Sequence, residues 1–550
     1  MKTIASLAAL LLSAFTGHAA PASIERFRFF EAAFEAQARP ANPYTELDAT
    51  AELRRPDGST RTLPLFWDGG QTWKLRVSPD APGDWSFTVR SSDAGLNGKA
   101  GEFACVASRR RGSIELMCGA TQHFQYQNGE RLWFMGDTAW ALVADNDREN
   151  HDRASVERYL ENRATQGFNV VHLMLLNEAG WGNSGGPPWR DLAKEQINPD
   201  YWREADARIA FANAQGLTVG LALAWGEKTG DERYPWGRFP SVEARKRYAS
   251  YIAARYSAYD VYFIVSGEWH GEVKTRKSTE AEVKREFIAI GDALRAADPH
   301  RRMIGIHPMT AHGSTHEFND AAWMSFGDYQ QNYYFLHERI IESRRFGKPV
   351  VNSEYAYFLR DANGDGIVDK HHSYTIADIR HATWDIAMAG GYVVTGFGST
   401  YMGGARHPTT FLPDDSANVP WIEQIQILQR CFTGLEWWKL EPHDELLTCA
   451  TQRSAGRNRR VEVNDRQRTM NQTSATTYWC LAEPGKQYLL YARGLREAVN
   501  MKVENAASWR ARLFNPRTGE ITNYPATLQD DQFEFRPADE QDWLILLNTP

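Results

Sequence analysis

Cysteine and positive charge are both scarce in this sequence. Only 5 of the 550 residues are cysteine and none forms a CxxC pair, so neither a zinc knuckle nor a dithiol redox site is expected. Cys449 and Cys480 are candidates for a disulfide, and an odd count leaves at least one thiol over. Because 69 Asp and Glu residues outnumber 62 Lys and Arg residues, the net charge of −7 gives no overall positive field to collect nucleic acid.

Long apolar runs are absent beyond the N-terminus, so no later segment is expected to span a bilayer. The N-terminal run, Ile4–Phe15, is itself too short to span one, and it lies between Lys2 and the small-residue pattern Gly17–Ala19. This arrangement predicts a signal peptide over residues 1–19. We therefore expect a chain exported to the periplasm or the extracellular space, with no membrane span.

Aromatic residues, by contrast, are abundant. The chain has 19 Trp, 22 Tyr and 26 Phe, together 12% of the sequence. Flat rings with a polar edge suit ligands that present apolar faces and hydroxyl rims. The composition therefore favours a carbohydrate ligand.

Strand patterns dominate both ends of the chain. Residues 22–107 contain period-two runs, such as Trp73–Val77 and Trp85–Val89, separated by Pro- and Gly-containing turns. Residues 446–550 return to the same pattern. The two segments are predicted to be an N-terminal and a C-terminal β-sandwich.

Between residues 108 and 445, apolar runs alternate with amphipathic helical stretches. The eight runs are Leu132–Met135, Val170–Leu176, Leu217–Leu223, Val261–Val265, Met303–Ile306, Trp323–Phe326, Pro349–Val351 and Tyr392–Val394. Eight β-then-α units predict an α/β fold, a (β/α)8 TIM barrel flanked by the two sandwiches. An open, doubly wound sheet is the alternative.

Two glutamates follow strands on facing sides of the predicted barrel. Glu268 follows the fourth run and Glu354 the seventh, and functional groups of such barrels stand after the strands. Hydrolysis of a glycosidic bond needs two carboxyl groups that flank it. Glu268 and Glu354 are therefore the candidate catalytic pair.

Other polar and aromatic residues share this rim. The candidate substrate-binding residues are Asp137, Trp140, Asn177, Trp225, Trp269, His307, Tyr329 and Tyr355. A packing role is the alternative for side chains of this kind.

Several stretches resemble a known family. They are Phe134–Trp140, Tyr159–Asn169, Trp225–Lys228 and Lys348–Tyr355. The barrel resembles the DUF4038, apiosidase-like glycoside hydrolases of family 140 and relatives. The N-terminal sandwich resembles the DUF5060 module, and the C-terminal one, around Leu513–Gly519, resembles a module described as collagen-binding. The resemblance implies a retaining glycosidase that needs no cofactor for catalysis, with Glu268 as acid/base and Glu354 as nucleophile.

The chain departs from this family at two places. Relatives commonly have Gly-Gly-Asp after strand 4, where this chain has Ser266-Gly267-Glu268. The usual Gln-Ser-Gly-His after strand 6 is here Gln330–Tyr333. We therefore expect subsite contacts that differ from those of the relatives.

Together these features predict a secreted glycoside hydrolase that acts on a polysaccharide or oligosaccharide. A non-catalytic polysaccharide-binding protein, or a cell-surface attachment protein, on the same scaffold is the alternative. Both would use the aromatic rim, but only the enzyme needs both glutamates.

A short loop after the seventh run resembles the first half of a calcium-binding EF-hand loop. Its predicted ligands are Asp361, Asn363, Asp365, the backbone carbonyl of Ile367, and Asp369. The twelfth position is His372 rather than Glu, so the loop is not a complete EF-hand. A structural Ca²⁺ is the prediction, and an acidic turn without an ion is the alternative.

If the loop binds calcium, a chelator should destabilise the protein, because an ion that binds only the folded state stabilises it. We expect EDTA to lower the melting temperature by roughly 2 °C or more. The variant Asp365→Ala should melt at the lower temperature with or without EDTA. A melting temperature that EDTA leaves unchanged in the wild type would argue against a bound ion.

Overall fold

The structure of the protein is a computed structural model that describes most of the chain. The described residues are 22–145, 151–176, 181–226, 235–309, 313–330, 335–355, 375–395, 419–454, 457–463, 466–472, 475–504, 509–526, 528–529 and 531–549. The predicted signal peptide over residues 1–19, Asn177 and the calcium ligands between Asp361 and Asp369 lie outside them. Within these ranges, no helix is both long and apolar enough to cross a membrane.

The N-terminal part forms two sheets around a common core. Its strands are β1 (Ala22–Glu25), β2 (Phe30–Glu35), β3 (Ala49–Arg54), β4 (Thr60–Pro64), β5 (Phe66–Trp67), β6 (Thr72–Val77), β7 (Gly83–Ser91) and β8 (Ala100–Val106), with the helix α1 (Pro43–Glu46) between β2 and β3. The sheets have the orders β1-β8-β7-β3-β4 and β2-β6-β5. In β7 the buried Trp85, Phe87 and Val89 alternate with less buried residues, as the period-two pattern predicts.

The central part contains a barrel of eight parallel strands. They are β12 (Met135–Thr138), β13 (Val170–Met174), β16 (Thr218–Ala222), β17 (Val261–Ile264), β18 (Ile304–Gly305), β19 (Gly327–Tyr329), β20 (Val350–Asn352) and β21 (Tyr392–Thr395). A sheet of β9 (Ile114–Leu116), β10 (Phe124–Tyr126) and β11 (Arg131–Leu132) precedes them, and the hairpin β14 (Trp189–Asp191) and β15 (Gln196–Ile197) follows β13.

The strand order shows that this sheet closes. The order is β18-β17-β16-β13-β12-β21-β20-β19, and a parallel bridge from Ile304 to Met324 joins β18 to the chain just before β19. The closure confirms the predicted (β/α)8 barrel and excludes the open, doubly wound sheet. Every residue of β13, β16 and β17 is buried, as expected of parallel strands covered on both faces.

Helices connect the barrel strands. They are α2 (Arg153–Thr165), α3 (Pro199–Ala214), α4 (Pro235–Arg238), α5 (Val242–Tyr256), α6 (Gly271–Thr275), α7 (Glu280–Ala297), α8 (Ser314–Phe318), α9 (Leu336–Arg344), α10 (Ile376–Met388) and α11 (Val419–Thr433). A capping box begins α7: the Thr279 hydroxyl accepts from the Glu282 backbone N–H, and the Glu282 carboxylate accepts from the Thr279 backbone N–H.

Two barrel strands begin later than the apolar runs predict. Leu132 pairs with Phe124 in the preceding sheet, so β12 starts only at Met135. Trp323 donates its indole N–H to a backbone carbonyl of α7, and β19 starts after it. As a result, Asp137 and Tyr329 lie inside strands rather than beyond their ends.

The C-terminal part is a second pair of sheets. Its strands are β22 (Glu441–Pro442), β23 (Leu447–Cys449), β24 (Arg457–Val463), β25 (Arg466–Gln472), β26 (Thr477–Glu483), β27 (Gln487–Arg493), β28 (Val499–Lys502), β29 (Arg510–Phe514), β30 (Ile521–Tyr524), β31 (Leu528–Gln529), β32 (Gln532–Phe535) and β33 (Trp543–Asn548); short 3₁₀ turns occupy Trp437–Lys439 and Asp444–Leu446. The sheets have the orders β22-β26-β27-β33-β29-β30 and β23-β28-β32-β31, with β24-β25 as a separate hairpin. All five cysteines, Cys449 and Cys480 included, are free.

The six-stranded sheet separates two cores. On β26, Trp479 and Leu481 belong to the core shared with the barrel, whereas Tyr478 and Cys480 belong to the core inside the sandwich. Successive residues thus face opposite sides, and every residue of β27 is buried. The sheet also begins at β22, before the predicted boundary at residue 446.

Buried ion pairs fasten the N-terminal sandwich to the barrel. Arg76 on β6 donates a hydrogen bond of 2.7 Å to Asp206 on α3. Arg255 on α5 donates two hydrogen bonds, of 2.8 and 2.7 Å, to the same carboxylate. Arg255 also pairs with Asp68 of the sandwich at 2.9 Å.

The C-terminal sandwich is fastened in the same way, through α10. Arg493 on β27 donates two hydrogen bonds of 2.7 Å to Asp385. Arg380, one helical turn away, donates two more, of 2.7 and 3.0 Å, to Asp542 next to β33. These planar, two-bond pairs fix orientation as well as distance.

Removing one member of such a pair should strongly destabilise the protein, because it leaves a buried charge without its counter-ion. We expect Asp385→Ala to cost about 3–5 kcal/mol, measured by denaturant or thermal unfolding. The matched control is Arg496→Ala, whose partner is Glu540; their side chains are 73% and 63% exposed. The control should cost less than about 1 kcal/mol. Equal losses in the two variants would contradict the stabilising role of the junction.

Candidate active site

Four neighbouring barrel strands supply the polar cluster at the mouth of the barrel. Glu268 follows β17, His307 follows β18, Gln330 follows β19 and Glu354 follows β20. These four strands are consecutive in the chain, and β19 follows β18 around the closed barrel. Both glutamates are buried, with 8% and 3% of their surfaces exposed. The barrel therefore brings the two predicted catalytic residues together.

The backbone at Glu268 is held in an uncommon conformation. Its φ of 41° lies in the left-handed region, which costs a non-glycine residue about 1–3 kcal/mol. The backbone N–H of Gly226 donates to the carbonyl of Gly267 at 2.6 Å, and the Trp225 ring lies where a side chain on Gly267 would be. Only glycine permits this approach. The surrounding contacts thus keep Glu268 in a strained conformation at the barrel mouth.

The side-chain amide of Gln330 bridges the two carboxylates. Its Nε2 donates to Glu268 Oε1 at 3.0 Å and to Glu354 Oε2 at 2.6 Å. Because one nitrogen bonds to both oxygens, the two oxygens lie at most 5.6 Å apart, the sum of the two hydrogen-bond distances. One neutral side chain thus limits the distance between these two oxygens.

His307 links Glu354 to a second buried acid. Its Nε2 lies 3.1 Å from Glu354 Oε2, and its Nδ1 lies 2.9 Å from Ser353 Oγ and 3.3 Å from Asp328 Oδ2. The Ser353 hydroxyl in turn donates to Asp328. All four residues are buried, so their polar atoms depend on one another rather than on bulk water.

This arrangement makes His307 a cation at neutral pH. Burial alone would lower its pKa, but the charge of Asp328 and the hydrogen bonds to Asp328 and Glu354 outweigh burial and raise the pKa to about 10. Both ring nitrogens of a protonated histidine donate. A positive charge therefore lies against Glu354.

Two tryptophans lie beside this cluster. The rings of Trp140 and Trp225 meet edge to face with their centroids 4.8 Å apart, and the Trp225 ring lies 5.3 Å from the His307 ring. Trp225 keeps 5% of its surface exposed and Trp140 keeps 2%. Among the predicted substrate-binding residues, Trp140, Trp225 and His307 are thus adjacent to the carboxylate pair.

Asp137 and Tyr329 lie deeper in the barrel wall. Asp137 is fully buried, pairs with Arg163 of α2 and accepts from the Tyr159 hydroxyl at 2.8 Å. Tyr329 is 1% exposed, and burial raises the pKa of its hydroxyl. Their contacts favour packing roles, and sugar contact by either residue stays a prediction.

Trp269 and Tyr355 also contact protein groups. Trp269 is fully buried and donates its indole N–H to Glu317 at 3.1 Å. The Tyr355 hydroxyl lies 2.8 Å from the Thr383 hydroxyl of α10. For these two residues as well, packing is the role that the described contacts favour, and substrate binding stays a prediction.

No role for Gln330, Asp328 or Ser353 was apparent from the sequence. Gln330 and Asp328 flank Tyr329, and Ser353 precedes Glu354, so all three lie near predicted strand ends. That position is the signal that could have found them. Position alone does not separate functional from structural residues, because amides, hydroxyls and acids at strand ends often form hydrogen bonds with the backbone instead.

Two family models match the chain. The model described as an apiosidase-like catalytic domain matches residues 119–439, more than half of the 550 residues. The model of a domain of unknown function, DUF5060, matches residues 23–92. These matches confirm the resemblance found for the barrel and the N-terminal sandwich. The resemblance of the C-terminal part to a collagen-binding module stays a prediction.

Solved structures share the fold. A Bacteroides vulgatus protein proposed to be a glycoside hydrolase is 17% identical, with a TM-score of 0.70 over 96% of this chain and 99% of its own. A structure described as a glycoside hydrolase is 19% identical, with a TM-score of 0.60 over 80% and 97%. A family 5 glycoside hydrolase from Bacteroides vulgatus is 16% identical, with a TM-score of 0.57 over 80% and 93%. No curated protein matches the sequence.

The raised pKa of His307 predicts how stability depends on pH. The folded protein binds this proton more tightly than the unfolded chain, whose histidines titrate near 6.5. The stabilisation is therefore complete below pH 6.5 and is lost as the pH rises through about 10. The difference in melting temperature between the wild type and His307→Gln should shrink over that range.

The matched control is His123→Gln. Burial lowers the pKa of His123 to about 3, so this residue stays neutral throughout the alkaline range. The difference between this variant and the wild type should be constant from pH 6.5 to 10. A constant difference for His307→Gln as well would show that His307 is not charged at neutral pH.

Proposed function

Because the chain belongs to the family of apiosidase-like catalytic domains and is a glycosidase, we propose that it hydrolyses its substrate with retention of anomeric configuration. In this proposal Glu354 is the nucleophile and Glu268 is the general acid and base. The substrate is a polysaccharide or an oligosaccharide, and the chain is exported to meet it.

The spacing of the carboxylates carries this proposal. Retaining glycosidases have their two carboxyl groups about 5–5.5 Å apart, whereas inverting ones need about 6.5–9.5 Å to admit a water molecule. Gln330 keeps Oε1 of Glu268 and Oε2 of Glu354 within 5.6 Å of each other. This distance supports the shorter spacing, that of a retaining enzyme.

The reaction then has two steps. In the first, Glu268 gives its proton to the glycosidic oxygen, the bond from that oxygen to the anomeric carbon breaks, and Glu354 forms an ester with the carbon. In the second, Glu268 takes a proton from water, the resulting hydroxide attacks the anomeric carbon, and Glu354 leaves as a carboxylate. Glu268 ends the cycle protonated, as it began.

His307 suits the role of Glu354 in both steps. Glu354 must be negatively charged to attack and must recover that charge when the ester is cleaved. The imidazolium of His307, 3.1 Å from Glu354 Oε2, favours the charged form at the start and at the end. Asp328 and Ser353 hold the ring in place from its other nitrogen.

A screen of plant and microbial polysaccharides with product analysis identifies the substrate, and ¹H NMR of the first product then reports its anomeric configuration. We expect the first product to have the same anomeric configuration as the substrate. Glu354→Gln should lower kcat at least about 1,000-fold, because no covalent intermediate can form. Glu268→Gln should lower it as much on the natural substrate. On an aryl glycoside, whose leaving group needs no proton, kcat/KM should fall far less, because it reports the first step, while kcat stays low because the second step still lacks its base.

The matched control is Glu243→Gln on α5, whose side chain is 72% exposed. It should leave turnover unchanged. An inverted first product would contradict retention, and near-normal turnover by Glu354→Gln would contradict the assignment of the nucleophile. A chain that binds polysaccharides but hydrolyses none of them would instead fit the non-catalytic alternative.

A further inference from the structure

We propose that Gln330 is a positioning residue that holds both catalytic carboxyls with one amide and favours the charged form of each. The proposal rests on the function proposed above for Glu268 and Glu354. It concerns a residue whose side chain forms no bond with substrate in either step.

The orientation of the Gln330 amide follows from its surroundings. Its Nε2 faces a carboxylate oxygen on each side, at 3.0 and 2.6 Å. Turning the amide over would place the carbonyl oxygen against two acceptors, which is repulsive. The carbonyl oxygen, Oε1, is buried and has no hydrogen-bond partner in the described part of the chain. Leaving Oε1 unpaired costs free energy, and the two hydrogen bonds that Nε2 donates offset this cost and fix the amide in this orientation.

The bond to Glu268 positions the acid. Oε1 of Glu268 accepts a hydrogen bond from Gln330 at 3.0 Å, and the amide can donate to this oxygen whether the carboxyl is protonated or charged. The bond to the charged carboxylate is the stronger of the two, so Gln330 favours the charged form.

The bond to Glu354 adds a second donor to one oxygen. Oε2 of Glu354 accepts from Gln330 at 2.6 Å and from His307 at 3.1 Å. Two donors from different strands fix the rotation of the carboxylate about its last bond. The nucleophile is therefore oriented before the substrate arrives, which lowers the cost of reaching the attacking geometry.

A neutral donor fits this position better than a cation. Glu268 must be protonated in the first step and charged in the second, and an arginine or lysine in contact with it would favour the charged form throughout. The amide of Gln330 donates to Oε1 in either state. Among the described residues of the cluster, the positive charge belongs to His307, which contacts Glu354, Asp328 and Ser353.

The test compares Gln330→Leu and Gln330→Glu with the wild type. Leu has nearly the shape of Gln but no donor, and we expect kcat/KM to fall roughly 10- to 100-fold, as for lost hydrogen bonds to a charged group. Because the lost bonds favoured the charged carboxylates, both limbs of the pH profile of kcat/KM should move to higher pH. Gln330→Glu adds a third acid beside the pair and should move both limbs of this profile further to higher pH. A purely structural role would lower activity without moving either limb.

Gln487→Leu is the matched control. Gln487 is also a buried glutamine, but it lies on β27 and donates to Glu436 and Glu483. It should leave the pH profile in place. Melting temperatures of all variants report whether each one folds. If Gln330→Leu does not fold, Gln330→Asn replaces it, because the asparagine side chain is too short to reach both carboxylates.

A titration without substrate separates this proposal from the proposed function. In protein labelled with ¹³C at the glutamate carboxyls, Glu268→Gln and Glu354→Gln assign the two resonances. Both titration midpoints should move to higher pH in Gln330→Leu. Unchanged midpoints overturn the role of Gln330, whatever the activity. If the midpoints move but the wild type hydrolyses no glycoside, the bridge stands and the proposed function fails.

Discussion

The structure of the barrel mouth depends on the cost of placing like charges together away from water. Glu268, Glu354 and Asp328 are all buried there, and each would be unstable as an isolated anion. His307 supplies the one positive charge of the described cluster, and Gln330 supplies neutral donors. Four adjacent strands bring these groups together, so their geometry depends on the closed barrel.

The same constraint governs the junctions with the sandwiches. Asp206 and Asp385 are buried acids, and each is paired with arginine across a domain boundary. Since an arginine fork must meet its carboxylate in one plane, these pairs orient the sandwiches as well as hold them. The aromatic residues that first suggested a sugar ligand divide accordingly. Trp140 and Trp225 lie beside the site, whereas Trp85 and Trp479 fill cores.

The architecture, and the meeting of Glu268 and Glu354 at one end of the barrel, could be predicted from sequence because each depends on a local signal. Alternation of apolar runs and helices predicted the barrel, and position after a strand predicted Glu268 and Glu354. The onset of β12 and β19 could not be predicted, because Leu132 and Trp323 are equally apolar but pack elsewhere. Nor could the contacts of Gln330, whose two partners lie 62 and 24 positions away in the chain.

The six-stranded sheet of the C-terminal part has a consequence for how such proteins diversify. One of its faces completes the core of the barrel and the other completes its own sandwich. Modules joined by a linker can be exchanged between genes with little effect on either partner. Here, a replacement C-terminal domain would also have to match the surface of α10, so exchanging this domain alone would leave part of the barrel's core uncovered.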